Sequence, residues 1–345
     1  MSTDEKFMQR CFHLAQLGAG HVAPNPMVGS VVVCNGEIIG EGYHQKYGQA
    51  HAEVNAISAV KDKTMLEKST IYINLEPCAH FGKTPPCSDL IIASKIPNAV
   101  IGCIDSYSEV AGKGLAKMEA AGIKVKIGVL EAESLALNKR FFTYHNKKRP
   151  YVLLKWAQSK NNCMDIDRTN NEKGVFWITQ PETKALVHKW RHEEAAILVG
   201  KNTIKVDNPS LTCRNYDGVS PIRFIIDQKM RLDYGRFNAG DSQVQTYILT
   251  EKEGISKGKL QFIQPINFTI TGILETLVKL EIQSVIIEGG LTTLTHFIKA
   301  GIWDEARILT GVNTIPNGIP APSIKGTLLE SYSYGKDQIK TILNA

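Results

Sequence analysis

Four residues between positions 51 and 87 have the side chains of a hydrolytic zinc centre. His51 and Glu53 stand two positions apart, and Cys78 and Cys87 follow. One imidazole and two thiolates can hold a zinc ion and leave its fourth position open for water. Zinc lowers the pKa of such a water to about 7, which makes hydroxide available at neutral pH. If a helix begins at His51, Glu53 projects from its first turn and can pass the proton of that water to a leaving amine.

The spacing of these residues follows the nucleobase deaminase pattern only in part. That pattern reads H-x-E followed by P-C-x-x-C, and the chain matches it through Pro77-Cys78 but has its next cysteine nine residues on, at Cys87. Segment 79–86 must therefore bulge out and return Cys87 to the metal. Each residue alone is more often structural, because H-x-E occurs by chance and buried free cysteines are common in cores. The combination, after the strand-like run 70–75, favours a catalytic zinc.

The pattern around these residues predicts an α/β sandwich. Asn35-Gly36 is typical of a two-residue hairpin turn, and from residue 52 onward helical and strand-like runs alternate. Alternation of this kind favours a sheet with helices on both faces. The zinc ligands would lie at helix N-termini along one sheet edge, where backbone dipoles help to keep thiolates ionised. The predicted strands are 28–33, 37–40, 70–75, 99–104 and 124–129, and the predicted helices are 52–60 and 114–121.

A second α/β domain is expected after a charged run that Pro150 ends, so the predicted domains are 1–147 and 148–345. Its sharpest stretch is Glu288-Gly289-Gly290, because two glycines between a strand and a helix let the backbone approach a phosphate closely. Alone, such a pair is more often simply a tight turn. Segment 199–214 mixes hydroxyls, an acid and cations, and we expect it to be a loop that recognises a sugar phosphate or a dinucleotide. The predicted strands are 151–156, 195–199, 222–227, 244–249 and 284–288, and the predicted helices are 182–192 and 291–299.

Composition and charge argue against several classes of protein. The 345 residues suffice for two domains, and 43% hydrophobic with 21% charged residues is ordinary for a soluble globular protein. The net charge of +6 is spread evenly, with 17 Lys+Arg against 14 Asp+Glu in residues 1–150 and 23 against 20 in the remainder, so we expect no nucleic-acid partner. The odd number of cysteines, seven, favours reduced thiols. The sequence has neither a signal-peptide core nor an apolar run of about 18 residues, so we expect a cytoplasmic protein with no membrane partner.

Several stretches of the chain match motifs of one known family. They are Pro24-Asn25-Pro26-Met27-Val28-Gly29, His51-Ala52-Glu53 and the run 75–87, LEPCAHFGKTPPC. These motifs resemble the bifunctional riboflavin biosynthesis deaminase–reductases, among whose zinc deaminase relatives the H-x-G-[KR]-T-P-P-C loop is specific to this family. That loop accounts for the long cysteine spacing. The run 206–214, VDNPSLTCR, and Glu288-Gly289-Gly290 resemble the reductase half, whose fold is similar to dihydrofolate reductase.

The resemblance implies an enzyme with two activities and two cofactors. The N-terminal domain would be a cytidine-deaminase-like α/β/α sandwich that binds one zinc ion. It would remove the 2-amino group of 2,5-diamino-6-ribosylamino-4(3H)-pyrimidinone 5′-phosphate as ammonia. The C-terminal domain would be a dihydrofolate-reductase-like α/β domain that reduces the ribosyl group with NADPH, giving 5-amino-6-ribitylaminouracil 5′-phosphate. The partner implied is a small pyrimidine ribotide, and a homo-oligomer is expected.

The resemblance also assigns roles by position. Glu53 would be catalytic, and His51, Cys78 and Cys87 would hold the zinc ion. The residues implied for the deaminase substrate are Asn25, His44, His80, Lys83 and Thr84, of which Lys83 is a natural partner for phosphate. Those implied for the reductase substrate are Lys155, Val175, Arg191, Leu211, Arg214 and Glu288. Those implied for NADPH are Gln158, Trp177, Thr203, Asp207, Gly289, Gly290, Leu291, Thr292, Thr293 and Leu294, although Trp177 could equally be a core residue.

One departure from the family concerns the reductase half. After Lys155-Trp156-Ala157-Gln158-Ser159 the family continues x-Asp-Gly, whereas this chain has Lys160-Asn161-Asn162. Asparagine tolerates positive φ best after glycine, so Asn162 could keep the turn. Asn161 keeps its hydrogen-bonding capacity but lacks the charge.

Three other interpretations remain open at this point. The chain could be a deaminase whose reductase domain is degenerate at Asn161 and serves as a scaffold. It could be a zinc-dependent deaminase or binder of nucleic acid, although the even spread of charge argues against that. It could be a structural zinc protein, although three ligands with a positioned Glu53 describe an open site rather than a closed one.

Overall fold

The chain folds into two units, residues 1–148 and 149–345. The structure is a computed structural model, and it describes residues 1–79, 85–105, 112–169 and 173–344. Within these ranges, no helix is long and apolar enough to cross a membrane.

The elements of unit 1 begin with a helix and a hairpin and then alternate between helix and strand. They are α1 (Thr3–Gln16), β1 (Gly29–Cys34), β2 (Glu37–Tyr43), α2 (Ala52–Ala59), a 3-10 helix (Lys63–Lys68), β3 (Thr70–Leu75), α3 (Cys87–Ala93), β4 (Asn98–Cys103), α4 (Lys113–Ala120), β5 (Lys124–Ile127), α5 (Glu131–Leu137) and α6 (Lys139–Lys147). The strands form one sheet in the order β2-β1-β3-β4-β5. Strand β1 is antiparallel to both β2 and β3, whereas β3, β4 and β5 run parallel.

Strand β1 shows why helices cover both faces of this sheet. Successive side chains of a strand point to opposite faces, and all six residues of β1 are buried. Val31 and Val33 pack in a cluster with the apolar side of α1, while Val32 packs in a second cluster with residues of α2 and α3. The hairpin after β1 turns at Asn35 and Gly36, whose φ angles of 51° and 80° are both positive, as a type I′ turn requires.

The elements of unit 2 are mostly alternating strands and helices and end in a hairpin. They are β6 (Tyr151–Gln158), β7 (Cys163–Asp165), α7 (Pro181–Glu193), β8 (Ala196–Gly200), α8 (Lys201–Asp207), β9 (Ile222–Ile226), 3-10 helices (Tyr234–Arg236 and Asn238–Gly240), β10 (Thr246–Leu249), β11 (Leu260–Ile263), α9 (Ile270–Lys279), β12 (Ser284–Ile287), α10 (Leu291–Ala300), β13 (Glu305–Thr310), β14 (Ile319–Pro320), β15 (Thr327–Tyr334) and β16 (Asp337–Leu343).

The main sheet of unit 2 has the order β11-β10-β9-β8-β12-β6-β13-β16-β15. The strands from β11 to β13 run parallel to their neighbours, and β16 and β15 are antiparallel additions at one edge. One face packs against α9 and α10, and the other packs against α7 and α8. Parallel strands place their carboxyl ends at the same sheet edge, where ligands of open α/β sheets bind.

One predicted element of unit 2 is wrong. Segment 199–214 was expected to be a loop, but residues Lys201–Asp207 form α8. This helix has one buried side chain, Ile204, so the segment lacks the repeated apolar spacing that predicts a helix from sequence. The helix is anchored by Ile204, which is buried in the core. It is bounded by Gly200, which is extended, and by Asn208, which is left-handed.

Two buried asparagines in unit 1 hold the backbone of segment 24–29. The Asn138 side chain accepts a hydrogen bond from the Met27 N–H at 2.8 Å and donates one to the Met27 carbonyl at 2.9 Å. The Asn74 side chain accepts from the Gly29 N–H at 2.8 Å and also donates to the Met27 carbonyl. These two amides therefore provide hydrogen-bond partners for backbone groups of Met27 and Gly29 inside the fold.

We expect Asn138→Leu to destabilise unit 1 by about 2–4 kcal/mol, because the Met27 N–H and carbonyl would lose their partner inside the fold. The control is Asn146→Leu, the same substitution at an exposed position on α6. Urea unfolding of the full chain, followed by far-ultraviolet circular dichroism, compares the two variants. All four tryptophans lie in unit 2, so their fluorescence shows whether unit 2 is unaffected. Equal stability of the two variants would contradict the role of Asn138.

Candidate active sites

The zinc-ligand candidates of unit 1 meet at the start of two helices. His51 is the residue immediately before α2, and Cys87 is the first residue of α3, as predicted. Cys78 differs from the expectation, because it lies in the loop after β3 rather than at a helix N-terminus. The Nδ1 atom of His51 is 3.7 Å from Cys78 Sγ and 3.4 Å from Cys87 Sγ, and the three ligand atoms lie within 4.8 Å of one another.

These separations fit a tetrahedral zinc ion. Zinc bond lengths of about 2.3 Å to sulfur and about 2.05 Å to nitrogen, at a tetrahedral angle, put a ligand sulfur and nitrogen about 3.6 Å apart. The two measured sulfur–nitrogen distances, 3.7 Å and 3.4 Å, bracket that value. His51, Cys78 and Cys87 would therefore hold the metal with little rearrangement.

Interactions within the cluster favour the thiolate form of Cys78 and the protonated form of Glu53. A hydrogen bond from the Cys87 thiol, with further help from His51, lowers the pKa of Cys78 to about 4, while the same interaction and burial raise the pKa of Cys87. The hydrogen bond to Cys78 raises the pKa of His51. Burial raises the pKa of Glu53 to about 7, and the Cys78 charge adds to that effect. A carboxyl group with a pKa near 7 is suited to both taking up and giving back a proton.

Glu76 holds the Cys78 loop, and sequence reasoning assigned it no role. Its carboxylate accepts hydrogen bonds from the backbone N–H groups of Asp105 at 3.3 Å, Gly112 at 3.0 Å and Gly114 at 3.1 Å. Two of these donors lie at the start of α4, where a negative charge is favourable. A Cβ atom at position 114 would lie 2.3 Å from the Pro77 carbonyl oxygen, so α4 and the Cys78 loop pack closely. The signal in the sequence was an acid that directly follows a buried strand.

The predicted substrate residues of unit 1 are described in part. The Asn25 amide nitrogen lies 3.0 Å from His44 Nε2, and His44 Nδ1 lies 3.1 Å from the Ala50 carbonyl. A carbonyl only accepts, so Nδ1 carries the proton and Nε2 accepts from Asn25. The rings of His44 and His51 are 5.4 Å apart, so this pair lies beside the metal cluster. His80, Lys83 and Thr84 lie outside the described residues.

Unit 2 has a buried cluster of two cations and one carboxylate. Arg191 on α7 donates two hydrogen bonds to Glu288, at 2.7 Å and 2.8 Å, and one to the Thr212 carbonyl at 3.1 Å. The Lys155 ammonium on β6 is 3.6 Å from Glu288 Oε2. Burial acts to raise the pKa of Glu288, but Arg191 and Lys155 outweigh it and lower the value to about 2. Burial lowers the pKa of Lys155. Two cations against one carboxylate leave a positive site that suits an anionic ligand.

Two strand-to-helix turns pack against each other beside this cluster. They follow β8 and β12, which are parallel neighbours. The Gly290 N–H donates to Thr203 Oγ1 at 3.1 Å. A Cβ atom at Gly289 would lie 2.9 Å from the Gly200 nitrogen, and one at Gly200 would lie 2.9 Å from Thr293 Oγ1. Both distances are shorter than an ordinary Cβ contact, so glycine at positions 200 and 289 allows the two turns to pack this closely.

The remaining residues predicted for unit 2 differ in how they are placed. Val175 and Trp177 are exposed, Trp177 by 54%, and the Lys184 ammonium lies 3.6 Å from the centre of the Trp177 ring. Trp177 is therefore not a core residue. Leu294 is fully buried in the core, so its side chain does not face the turn. Gln158 donates to Asn162 Oδ1 and accepts from the Trp156 indole. The segment after α8 carries Leu211, whose φ of 54° is left-handed, and Arg214. The first turn of α10 carries Leu291 and Thr292.

The Asn161-Asn162 departure has a structural explanation. Asn162 has φ of 58°, so it adopts the left-handed conformation that the sequence predicted for it. The Asn161 side chain accepts from the Ile315 N–H at 3.0 Å and donates to the Ile315 carbonyl at 3.0 Å. It also accepts from the Ser159 hydroxyl at 2.6 Å. The two asparagines therefore form an ordered turn, and nothing in its hydrogen bonds marks this part of unit 2 as degenerate.

The fold and geometry define a class for each unit. Unit 1 has the His/Cys/Cys cluster and buried glutamate of a zinc-dependent base deaminase, and residues 1–103 match the family described as the cytidine and deoxycytidylate deaminase zinc-binding region. Residues 150–315 match the family described as the RibD C-terminal domain. The chain belongs to the RibD family, the bifunctional deaminase–reductases of riboflavin biosynthesis.

Relatives over the whole length support this assignment. The chain is 38% identical to riboflavin biosynthesis protein RibD of Aquifex aeolicus, over 92% of this chain and 89% of that protein. It is also 38% identical to RibD of Bacillus amyloliquefaciens, over 91% and 87%. A crystal structure of the diaminohydroxyphosphoribosylaminopyrimidine deaminase/5-amino-6-(5-phosphoribosylamino)uracil reductase of Thermotoga maritima is similar with a TM-score of 0.92, 33% identity and 99% coverage of both chains.

These findings confirm the predicted family, α/β fold class and pair of activities. The chain is a zinc-dependent deaminase and an NADPH-dependent reductase in riboflavin biosynthesis.

We expect Glu76→Gln to lower the zinc content of unit 1 and to destabilise that unit by about 1–3 kcal/mol. An amide of the same size has only one acceptor oxygen, and its NH2 group would face a backbone N–H. Zinc per chain, measured by atomic emission, and ammonia release are the readouts. The control is Glu119→Gln, at an exposed position on α4. Full zinc content with unchanged stability in Glu76→Gln would show that this carboxylate does not hold the loop.

We also expect Asp207→Asn to stabilise unit 2 at neutral pH. Burial, with Asp165 adding and Arg168 opposing, raises the pKa of Asp207 to about 6. Between its unfolded value near 3.8 and this value, the folded state binds more protons, so the free energy of unfolding falls as pH rises. The variant should raise the melting temperature by about 2–5 °C at pH 7.5 and by much less at pH 4. Tryptophan fluorescence measures the transition of unit 2.

The matched control for Asp207→Asn is Asp217→Asn, which removes an exposed carboxylate from the same unit. A gain at pH 4 as large as at pH 7.5 would contradict the stated origin of the effect.

Proposed function

We propose that unit 1 deaminates a free pyrimidine ribotide, 2,5-diamino-6-ribosylamino-4(3H)-pyrimidinone 5′-phosphate, and that unit 2 then reduces its ribosyl group to ribityl. The observation that carries the proposal is the Glu53 carboxyl, 3% exposed, next to the His51, Cys78 and Cys87 cluster. A catalytic carboxyl beside three ligands describes a reacting centre rather than a structural metal site.

In the deaminase, the protein's own residues bind the base and move one proton. When bound, zinc supplies a water whose pKa is lowered to about 7. The Glu53 carboxylate takes the proton of that water and hands it to the leaving amine as ammonia forms. Its raised pKa, about 7, allows both steps at neutral pH. Asn25 donates to His44, which leaves the Asn25 carbonyl oxygen as an acceptor for the substrate base. The roles of His80, Lys83 and Thr84 as further substrate residues stay predictions from the family motif.

In the reductase, the cluster of Lys155, Arg191 and Glu288 holds the sugar. When bound, NADPH supplies the hydride. Arg191 holds Glu288 in place with two hydrogen bonds, and the Glu288 carboxylate can accept a hydrogen bond from a ribosyl hydroxyl. Lys155, whose pKa burial lowers, can donate to the sugar oxygen. We assign Arg214 to the phosphate of the ribotide, because it is exposed and cationic in the segment that Arg191 contacts at Thr212.

NADPH would lie along the paired turns after β8 and β12. Gly289, Gly290 and Thr203 offer backbone and hydroxyl groups to its phosphates, and Trp177 offers an exposed ring face. Asp207 is a partly buried carboxylate whose pKa is raised to about 6, and groups with shifted pKa values are expected where a ligand uses them. The family motifs also assign Val175 and Leu211 to the reductase substrate. They assign Gln158 and residues 291–294 to NADPH.

The setting of the reaction follows from charge and thiol chemistry. The even spread of the +6 net charge fits a small-molecule substrate better than a nucleic acid. All seven cysteines are free, which fits a reducing compartment, and we assign the protein to the cytoplasm. Assembly into a homo-oligomer is part of the proposal, and sedimentation equilibrium tests it.

We expect Glu53→Gln to lower ammonia release from the diaminopyrimidinone phosphate by a factor of about 10² to 10⁴ and to leave zinc content unchanged. NADPH oxidation with the deaminated product should keep its wild-type rate, because that reaction belongs to unit 2. The matched variant Glu288→Gln should show the reverse, with ammonia release kept and NADPH oxidation lost. Ammonia release that persists in Glu53→Gln would overturn the deaminase mechanism. Loss of both activities in either variant would contradict the division of labour.

A further inference from the structure

Two histidines on α7 hold the backbone of a neighbouring segment. His188 and His192 are four residues apart, so they lie on the same face of the helix, and they are only 5% and 7% exposed. His188 Nδ1 accepts the Arg214 N–H at 2.9 Å and the Asn215 N–H at 3.4 Å. His192 Nδ1 accepts the Val219 N–H at 2.9 Å. Two imidazoles thus replace the strand or helix partners that this backbone lacks.

The held backbone, residues 211–220, is called here the arginine segment because it carries Arg214. It has further ties to α7 in the same region. The Cys213 thiol donates to the His188 carbonyl at 3.2 Å, and Arg191 donates to the Thr212 carbonyl at 3.1 Å. The segment closes on itself where the Cys213 N–H donates to the Ser220 hydroxyl at 3.0 Å. Its conformation is therefore fixed at both ends by one helix.

Gly218 shows how closely the arginine segment fits the second histidine. A Cβ atom at this position would lie 2.6 Å from both Cγ and Nδ1 of His192, so no other residue allows the backbone to lie against the ring at this distance. The Tyr216 ring lies 5.5 Å from the His192 ring. The helix and the segment are matched in shape as well as in hydrogen bonding.

The charges around His188 keep its Nδ1 atom an acceptor. The ring is faced by Arg191 on its own helix, Arg214 on the segment, Lys155 on β6 and Glu288 after β12. Burial, followed by Arg191 and Arg214, lowers the pKa of His188 to about 4; Glu288 opposes this effect and Lys155 adds a smaller contribution. At neutral pH the ring is therefore uncharged, with its proton on Nε2, and Nδ1 can receive the two backbone N–H groups.

We propose that His188 and His192 are positioning residues of the reductase, which hold the arginine segment and thereby fix where Arg214 presents its guanidinium to the substrate phosphate. The inference rests on the phosphate role proposed above for Arg214. The histidines themselves do not touch the substrate. They act through the backbone on either side of the arginine.

The test compares two substitutions of His188 in the full-length zinc-loaded protein. His188→Leu removes the acceptor and leaves two backbone donors unpaired, whereas His188→Asn places an amide oxygen near the position of Nδ1. The readout is the ratio of kcat/KM for the phosphorylated, deaminated substrate to that for its dephosphorylated counterpart. We expect this ratio to fall about tenfold in His188→Leu, through KM for the phosphorylated substrate, and to return to within about threefold of wild type in His188→Asn.

Other parts of the same chain provide the controls. Ammonia release by unit 1 and the KM for NADPH should not change. His296→Leu makes the same substitution at an exposed position on α10 and should keep the wild-type ratio. Gly218→Ala pushes the segment away from His192 and should lower the ratio in the same way. Gly254→Ala, which crowds the Phe262 ring elsewhere in unit 2, should not.

Arg214→Gln separates this inference from the function on which it rests. We expect Arg214→Gln to lower the ratio, and the double variant with His188→Leu to lower it little further, because both changes remove one interaction. If Arg214→Gln lowers the ratio and His188→Leu does not, the inference is wrong and the phosphate role of Arg214 stands. If His188→Leu lowers kcat/KM equally for both substrates, the role is merely structural and the inference is overturned. If Arg214→Gln leaves the ratio unchanged, the proposed phosphate role fails, and the inference fails with it.

Discussion

Backbone groups that lie outside helices and strands, yet inside the fold, must still find hydrogen-bond partners. In both units the partners are buried polar side chains next to the chemistry. Glu76 accepts three N–H groups beside the Cys78 loop, and Asn138 pairs with Met27 near Asn25. In unit 2, His188 does the same for Arg214. The reactive side chains can therefore sit on loops and still be fixed to within the tolerance that catalysis requires.

The two sites have opposite electrostatic character. The centre of unit 1 gathers two thiols and a carboxyl around one imidazole, so it is short of positive charge and suits a divalent cation. The centre of unit 2 gathers Lys155 and Arg191 around Glu288, so it has an excess of positive charge and suits a ligand that carries negative charge. Each excess is buried, where charges interact strongly and an unmatched one is unfavourable. Binding of a ligand with the opposite charge is therefore favourable at each centre.

Sequence alone predicted the parts of the structure that depend on local pattern. The strands β3 and β12 and the helix α10 were found because apolar residues with turn residues at their ends carry their own signal. The zinc ligands were found because few residue types bind that metal. Helix α8 was missed, since it depends on one buried isoleucine that only the tertiary structure reveals.

Glu76, His188 and His192 were given no role for a related reason. A side chain that accepts a backbone N–H from a distant loop leaves no periodic trace, because its partner is defined by position in space and not by residue type. The same limit applies to Leu294. Its position in the family motif assigned it to the cofactor, but its side chain is buried in the core.

The turn at Asn161 shows what a neutral side chain changes at such a position. Its amide makes a matched donor and acceptor pair with the Ile315 backbone, much as one strand residue pairs with another. A carboxylate at this position could accept the hydrogen bond from the Ile315 N–H, but its second oxygen would face the Ile315 carbonyl oxygen without a proton between them. Because the pair involves no charge, ionic strength and pH should leave this turn unaffected. The hydrogen bonds that hold the loop after β6 therefore do not depend on the ionisation of a side chain, unlike the contacts within the charged cluster at Lys155.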